Sequence, residues 1–236
     1  MNFKLLIIGL LLGAIGGGCQ GVPAQAPTTD ASRNAAWTRA FAAPGPPSTS
    51  GMPIGQENRI NMDARFASLL KESFPQKQWF WYDHWKLTPL PELMQVFMGV
   101  PGNAILDEDR YVSIDGCVPH DCDNRGMLWV DTRTDPAVII FAGIDSITSN
   151  TTPSKSHLWI YTSEKLSWQK IPSPFLSSLH RWLVTIGTDP YAGTHGYRYN
   201  FSLATIVQPN GVMLDMGPEI FGLGATGSHA SPGAGS

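Results

Sequence analysis

Cys117 and Cys122 close a short ring around Val118, Pro119, His120 and Asp121. In an oxidising compartment the two thiols pair and the ring becomes a disulfide loop. By the chain-entropy model so short a closure is worth only about 2 kcal/mol, too little to staple a whole fold. A tight ring is better suited to holding a few side chains in one presented shape, which lowers the ordering cost of binding. Pro119 fixes its own φ and restricts Val118. The tip then offers an imidazole and a carboxylate, with Asp121 placed to hold the loop from inside by accepting backbone N–H bonds. Cys117, His120 and Cys122 are also zinc-type donors, but their spacing is unusual for zinc, and export favours oxidation over thiolate ligation. The plain alternative is a local structural disulfide beside a solvated histidine.

Export is read from the N-terminus. Lys4 precedes the apolar run Leu5 to Leu12, a positive n-region and short h-region that cannot span a bilayer alone. Of the three cysteines, Cys19 is left over once the ring is paired. Gly16-Gly17-Gly18-Cys19 resembles a bacterial lipobox, with Gly16 standing where that motif has an aliphatic residue. Cleavage there makes residues 1–18 the signal and Cys19 the lipidated first residue; ordinary cleavage after Ala24 is the competing reading. Gln20 after Cys19 resembles lipoproteins sorted to the outer membrane, so the predicted location is the periplasm, on a lipid anchor.

Residues 19–60 are rich in Pro, Ala, Gly, Ser and Thr without a sustained apolar period, the composition of a flexible tether. Residues 222–236 read as a loose tail, and 61–221 are the length of one domain. That domain holds seven of the eight tryptophans, enough bulk for a sizeable interior. A formal net charge of −3 without a basic cluster argues against nucleic acid as partner.

The elements that must position the ring read as α+β: a mostly antiparallel sheet with short helices on one face and a protruding disulfide loop. Phe66, Leu69, Leu70 and Phe74 share a helical face over 65–74, with Asp63 as cap and Pro75 as stop. A second helix is predicted over Pro91–Phe97, and Pro172 and Pro174 open a helical turn through Leu179. Strands are predicted at 111–114, 127–132, 137–142, 157–162, 182–188, 197–207 and 211–216, with Arg133–Pro136 turning a hairpin. The ring falls between the first two of these, at the edge or end of a rigid sheet. Asp107-Glu108-Asp109 reads as a solvated turn before the first.

The run Tyr111-Val-Ser-Ile-Asp-Gly-Cys-Val-Pro-His-Asp-Cys-Asp-Asn-Arg-Gly-Met-Leu-Trp-Val130 resembles the centre of the Ivy family, bacterial inhibitors of C-type lysozyme. Members carry a Cys-Lys-Pro-His-Asp-Cys loop between two strands, then a short polar turn and an apolar strand with Trp. Phe141-Ala-Gly-Ile-Asp145 and Glu164-Lys-Leu-Ser-Trp168 resemble the next segments in order, so the likeness covers about Arg65 to Asn200. It implies that the loop enters the lysozyme cleft with His120 between the two catalytic carboxylates, and Val118, Pro119 and Asp121 around it. The family lysine is Val118 here, an aliphatic contact in place of a cationic one, and the strands after Asn200 have no counterpart.

No enzyme signature competes: there is no Gly-x-Ser-x-Gly elbow, no phosphate-cradling glycine loop and no His-Glu-x-x-His motif. The expected partner is lysozyme or another muramidase, with no cofactor and no catalytic role; whether the chain forms a homodimer is left open. A second class of reading is an envelope-anchored structural or carbohydrate-binding lipoprotein, using the Trp79-Phe80-Trp81-Tyr82 and Trp85 group. Such aromatics are more often core.

Overall fold

A computed structural model describes residues 35–44, 56–57, 59–75, 89–147, 155–187, 199 and 201–221. The signal segment, Cys19, the Trp79–Trp85 group and the tail lie outside the described residues. Among the described residues, nine strands form one sheet: β1 (Ala43–Pro44), β2 (Gln56–Glu57), β3 (Val100–Asp107), β4 (Tyr111–Val118), β5 (Asp121–Asp131), β6 (Val138–Ile147), β7 (Lys155–Thr162), β8 (Phe201–Val207) and β9 (Met213–Met216). Their order is β1-β3-β4-β5-β6-β7-β8-β9, with β2 also paired to β3. Pairing is antiparallel except at β1–β3 and β7–β8. The α+β class, the mostly antiparallel sheet and the disulfide loop all stand as the sequence pattern predicts.

Among the described residues, three α-helices cover the sheet: α1 (Ala64–Ser73), α2 (Leu90–Phe97) and α3 (Ser173–Gly187). The Asp63 side chain caps α1 by accepting from the Arg65 backbone N–H at 2.9 Å, and Phe66, Leu69 and Leu70 turn inward as their spacing requires. α1 and α2 pack over Val112, Ile114, Leu128, Val130, Ile139 and Phe141. α3 packs over the alternate residues of the same strands, including Met127, Trp129, Ile140 and Ala142. The helices therefore divide between the two faces, where the sequence placed them on one.

Residues 182–187 of the strand predicted at 182–188 are the second half of α3, and Thr188 lies outside the described residues. Trp182 and the β-branched run Val184-Thr185-Ile186 mimic a strand by propensity. Yet Phe175, Leu179, Trp182, Leu183 and Ile186 are buried together, which is the spacing of one helical face. Burial of that face overrides the local preference, and α3 serves as the crossover that the parallel β7–β8 pair needs.

β3 was missed because Pro101 and Gly102 interrupt its pattern; they sit at a register shift between Pro101 and Ala104. The tether expected over 19–60 also ends early. Ala35, Thr38 and Ile60 are fully buried, Trp37 and Phe41 pack on the α1 side of the core, and β1 and β2 pair with β3. The acidic turn is more than solvated: Arg181 grips Asp107 with two hydrogen bonds, at 2.8 and 2.6 Å, and Arg39 and Arg133 pair with Asp109.

A helix over 182–187 and a strand there bury different residues. Trp182→Ala is expected to lose about 3–5 kcal/mol of stability. Val184→Ala, at a position 53% exposed, is expected to lose under about 0.5 kcal/mol. Urea unfolding that ranked Val184 with Trp182 would point to a strand, in which the two share a face.

Candidate functional site

The ring sits at the end of two interior strands, β4 and β5, rather than at a sheet edge. At the far end of the β4–β5 hairpin, Arg110 clasps Asp131 through bonds of 2.8 and 2.7 Å, and Thr132 returns its N–H and hydroxyl to the Arg110 carbonyl. Tyr111 stacks on Trp129 with centroids 5.3 Å apart. The hairpin is thus pinned below, and its upper end carries the irregularity.

That irregularity is a change of register. Cys117 pairs with Arg125, but the next residue, Val118, pairs with Asp121. Cys122, Asp123 and Asn124 are therefore in excess on β5 and bulge from the ladder. The disulfide spans this bulge, joining Cys117 to Cys122 with Cα atoms 4.9 Å apart, so neither sulfur is left as a thiolate ligand. Arg125 Nε donates to the Cys122 carbonyl at 2.7 Å. The buried Asn124 ties the bulge inward: its Nδ2 donates to Asp121 Oδ2 at 2.7 Å, and its Oδ1 accepts from the Ser146 backbone N–H of β6 at 3.0 Å.

Pro119 and His120 form the turn between Val118 and Asp121 and are both exposed. His120 has φ +64°. Proline at the second position and positive φ at the third are the signature of a type II turn, whose third residue is ordinarily glycine or asparagine. A histidine there accepts a left-handed conformation that glycine would adopt without strain. Beneath the turn, Pro119 lies so close to Gly99 that a Cβ at Gly99 would meet the proline ring at 2.9 Å. Gly116 similarly lets the hairpin approach the Val100 carbonyl, 2.6 Å from where its Cβ would be.

Two sequence readings of the ring need correction. Val118, expected among the target contacts, is 3% exposed and packs in the α1/α2 core. Its strand faces the helices, so it anchors the ring from below. Asp121 does hold the loop from inside, but through the Asn124 side chain rather than backbone N–H groups. Pro119 and His120 remain as the presented pair.

Sequence reasoning missed Asn124, Asp145 and His157, which gather polar groups behind the ring. Asp145 is 7% exposed, and burial, helped by the Asp121 charge, pushes its carboxyl up to about 7. Across the β6–β7 ladder it faces His157, which burial pushes down to about 4. His157 stacks on Trp159 at 4.1 Å. The Thr205 hydroxyl donates to Asp215 at 2.7 Å, so it accepts from His157 Nε2, 2.8 Å away. The available signal was Asp145 and His157 standing beside the apolar runs of their strands, Val138–Ile144 and Leu158–Tyr161.

The chain matches no family model, no curated protein and no solved structure. Its site is therefore judged on its own geometry. Among the described tryptophans, Trp129 and Trp182 are core residues rather than a stacking surface.

Anchor and tip respond differently to truncation. Val118→Ala is expected to lose about 2 kcal/mol, as for a buried aliphatic residue, and His120→Ala under about 0.5 kcal/mol. Equal losses in chemical denaturation would mean that the ring is not seated as described.

Asp145 carries a pH signature. Between its ordinary 3.8 and about 7, the folded chain keeps a proton that the unfolded chain has released, so its contribution to stability falls as pH rises through that window. His157 works in the opposite sense: below its ordinary 6.5 the unfolded imidazole takes a proton that the folded one refuses until about 4. Asp145→Asn should raise Tm by several degrees at pH 8 and change it little at pH 4.5. A Tm difference that does not depend on pH would contradict the assignment.

Proposed function

We propose that this chain is an exported inhibitor of C-type lysozyme or a related muramidase, acting by inserting the Cys117–Cys122 loop into the catalytic cleft. The observation that carries the reading is His120: exposed, at positive φ, on the tip of a disulfide-closed turn between two interior strands. Backbone strain of this kind, held in place by its surroundings, is what binding and catalytic positions retain. The likeness of the 111–130 run to the Ivy family supports the same target class.

The chemistry fits the target. Retaining glycosidases hold two carboxyl groups about 5 Å apart. A protonated imidazole between them donates from both ring nitrogens, and charge-assisted hydrogen bonds are individually strong in a desolvated cleft. Pro119 and the ring closure leave little loop entropy to lose on binding. The apolar segment after Lys4 and the Gly16-Gly17-Gly18-Cys19 run support export and a lipid anchor on Cys19, which places such an inhibitor where a muramidase meets the cell wall.

The decisive measurement is cell-wall lysis by C-type lysozyme, and separately by a lytic transglycosylase, with the purified protein added. His120→Ala should keep the parent Tm and lose inhibition by tens of fold or more, the effect of removing an interface hot spot worth about 2–4 kcal/mol. An alanine variant as inhibitory as the parent would refute the role of His120. A parent protein that inhibits neither enzyme would refute the function.

A further inference from the structure

A loop with two presented residues is too small to be a whole interface. Stable protein–protein interfaces engage about 20–30 residues a side, so surface next to the turn must take part. One flank of the turn is unusual. The segment Val96-Phe97-Met98-Gly99-Val100-Pro101, which joins α2 to β3, contains no polar side chain at all. Phe97 and Met98 turn into the core, while Val96, Gly99, Val100 and Pro101 are exposed. Val96 and Val100 keep 39% and 38% of their surface.

This strip is continuous with the turn. Gly99 sits against the Pro119 ring and the Val96 carbonyl, and Val100 is the ladder partner of Cys117. Met62, 87% exposed, belongs to the same region, because its neighbour Asn61 donates to the Met98 carbonyl. Among the described residues, three of the seven large exposed hydrophobics thus lie on the flank of one turn. Where the Ivy-family loop has a lysine, this chain has the buried Val118, so the second contact beside His120 has to come from elsewhere.

We propose that the Val96–Pro101 strip is the second half of the inhibitory surface and docks on the apolar rim of the muramidase cleft that His120 enters. This rests on the muramidase reading. Its physical role is exclusion of water: apolar neighbours that seal a polar contact raise the strength of hydrogen bonds and charge pairs inside the seal. The strip carries no charge of its own to repel the carboxylates of the cleft.

Neutral polar substitutions test this without adding charge. Val96→Asn and Val100→Asn, made singly and together, should each weaken inhibition of C-type lysozyme about fivefold or more, the threshold at which an interface residue counts as contributing, with Tm held near the parent value. Val184→Asn, on the opposite face of the sheet, is the control and should leave inhibition unchanged. If His120→Ala abolishes inhibition while both strip variants inhibit like the parent, the strip proposal falls and the loop reading stands. If the strip variants instead convert a dimer to a monomer in sedimentation with inhibition intact, the strip is a self-association surface and the proposal is overturned. If the parent inhibits neither C-type lysozyme nor a lytic transglycosylase, both readings fall.

Discussion

Burial of the β4–β5 hairpin on both faces is the constraint from which the other features follow. Val112, Ile114, Leu128 and Val130 face α1 and α2, while Tyr111, Met127 and Trp129 face α3. A slip of one residue in this pairing would move every side chain to the wrong layer, so the register is strongly specified. The extra residues of β5 cannot be absorbed within such a ladder. They are expelled to the end of the hairpin, where Cys122, Asp123 and Asn124 form the bulge and the disulfide closes it. The presented turn is the by-product of a hairpin whose register is fixed by burial on both faces.

Much of this was legible from local chemistry. The α1 helix announced itself through Asp63, its apolar spacing and Pro75, and the β5–β6 hairpin through two apolar runs around Arg133–Pro136. What failed were positions where tertiary burial outranks propensity. Val184, Thr185 and Ile186 favour a strand by side-chain shape, and only the layer facing α3 makes them helical. Pro101 and Gly102 hide β3 because a bulge tolerates residues that a regular strand excludes. In the ring, spacing revealed the disulfide and the turn. The inward orientation of Val118 depends on which layer β4 faces at that point, which no local pattern encodes.

Charge around the ring is arranged with economy. An acidic cleft, the proposed destination of His120, would repel carboxylates on the approaching surface. The Asp121 carboxylate accepts from the Asn124 side chain, and burial, with the Asp121 charge, raises the Asp145 carboxyl to about 7. His120 is left as the exposed titratable group of the turn.

The turn has few structural duties beyond its own shape. Val118 and Asn124 fasten the ring, Asp121 is spent on Asn124, and Gly99 leaves room for the Pro119 ring. The His120 side chain takes part in none of these fastenings. Side-chain chemistry at this one position is therefore separate from core packing, and residues that accept its left-handed backbone can be exchanged at the tip while the scaffold stays fixed. A designer can graft a different tip onto a protein built this way without renegotiating the core.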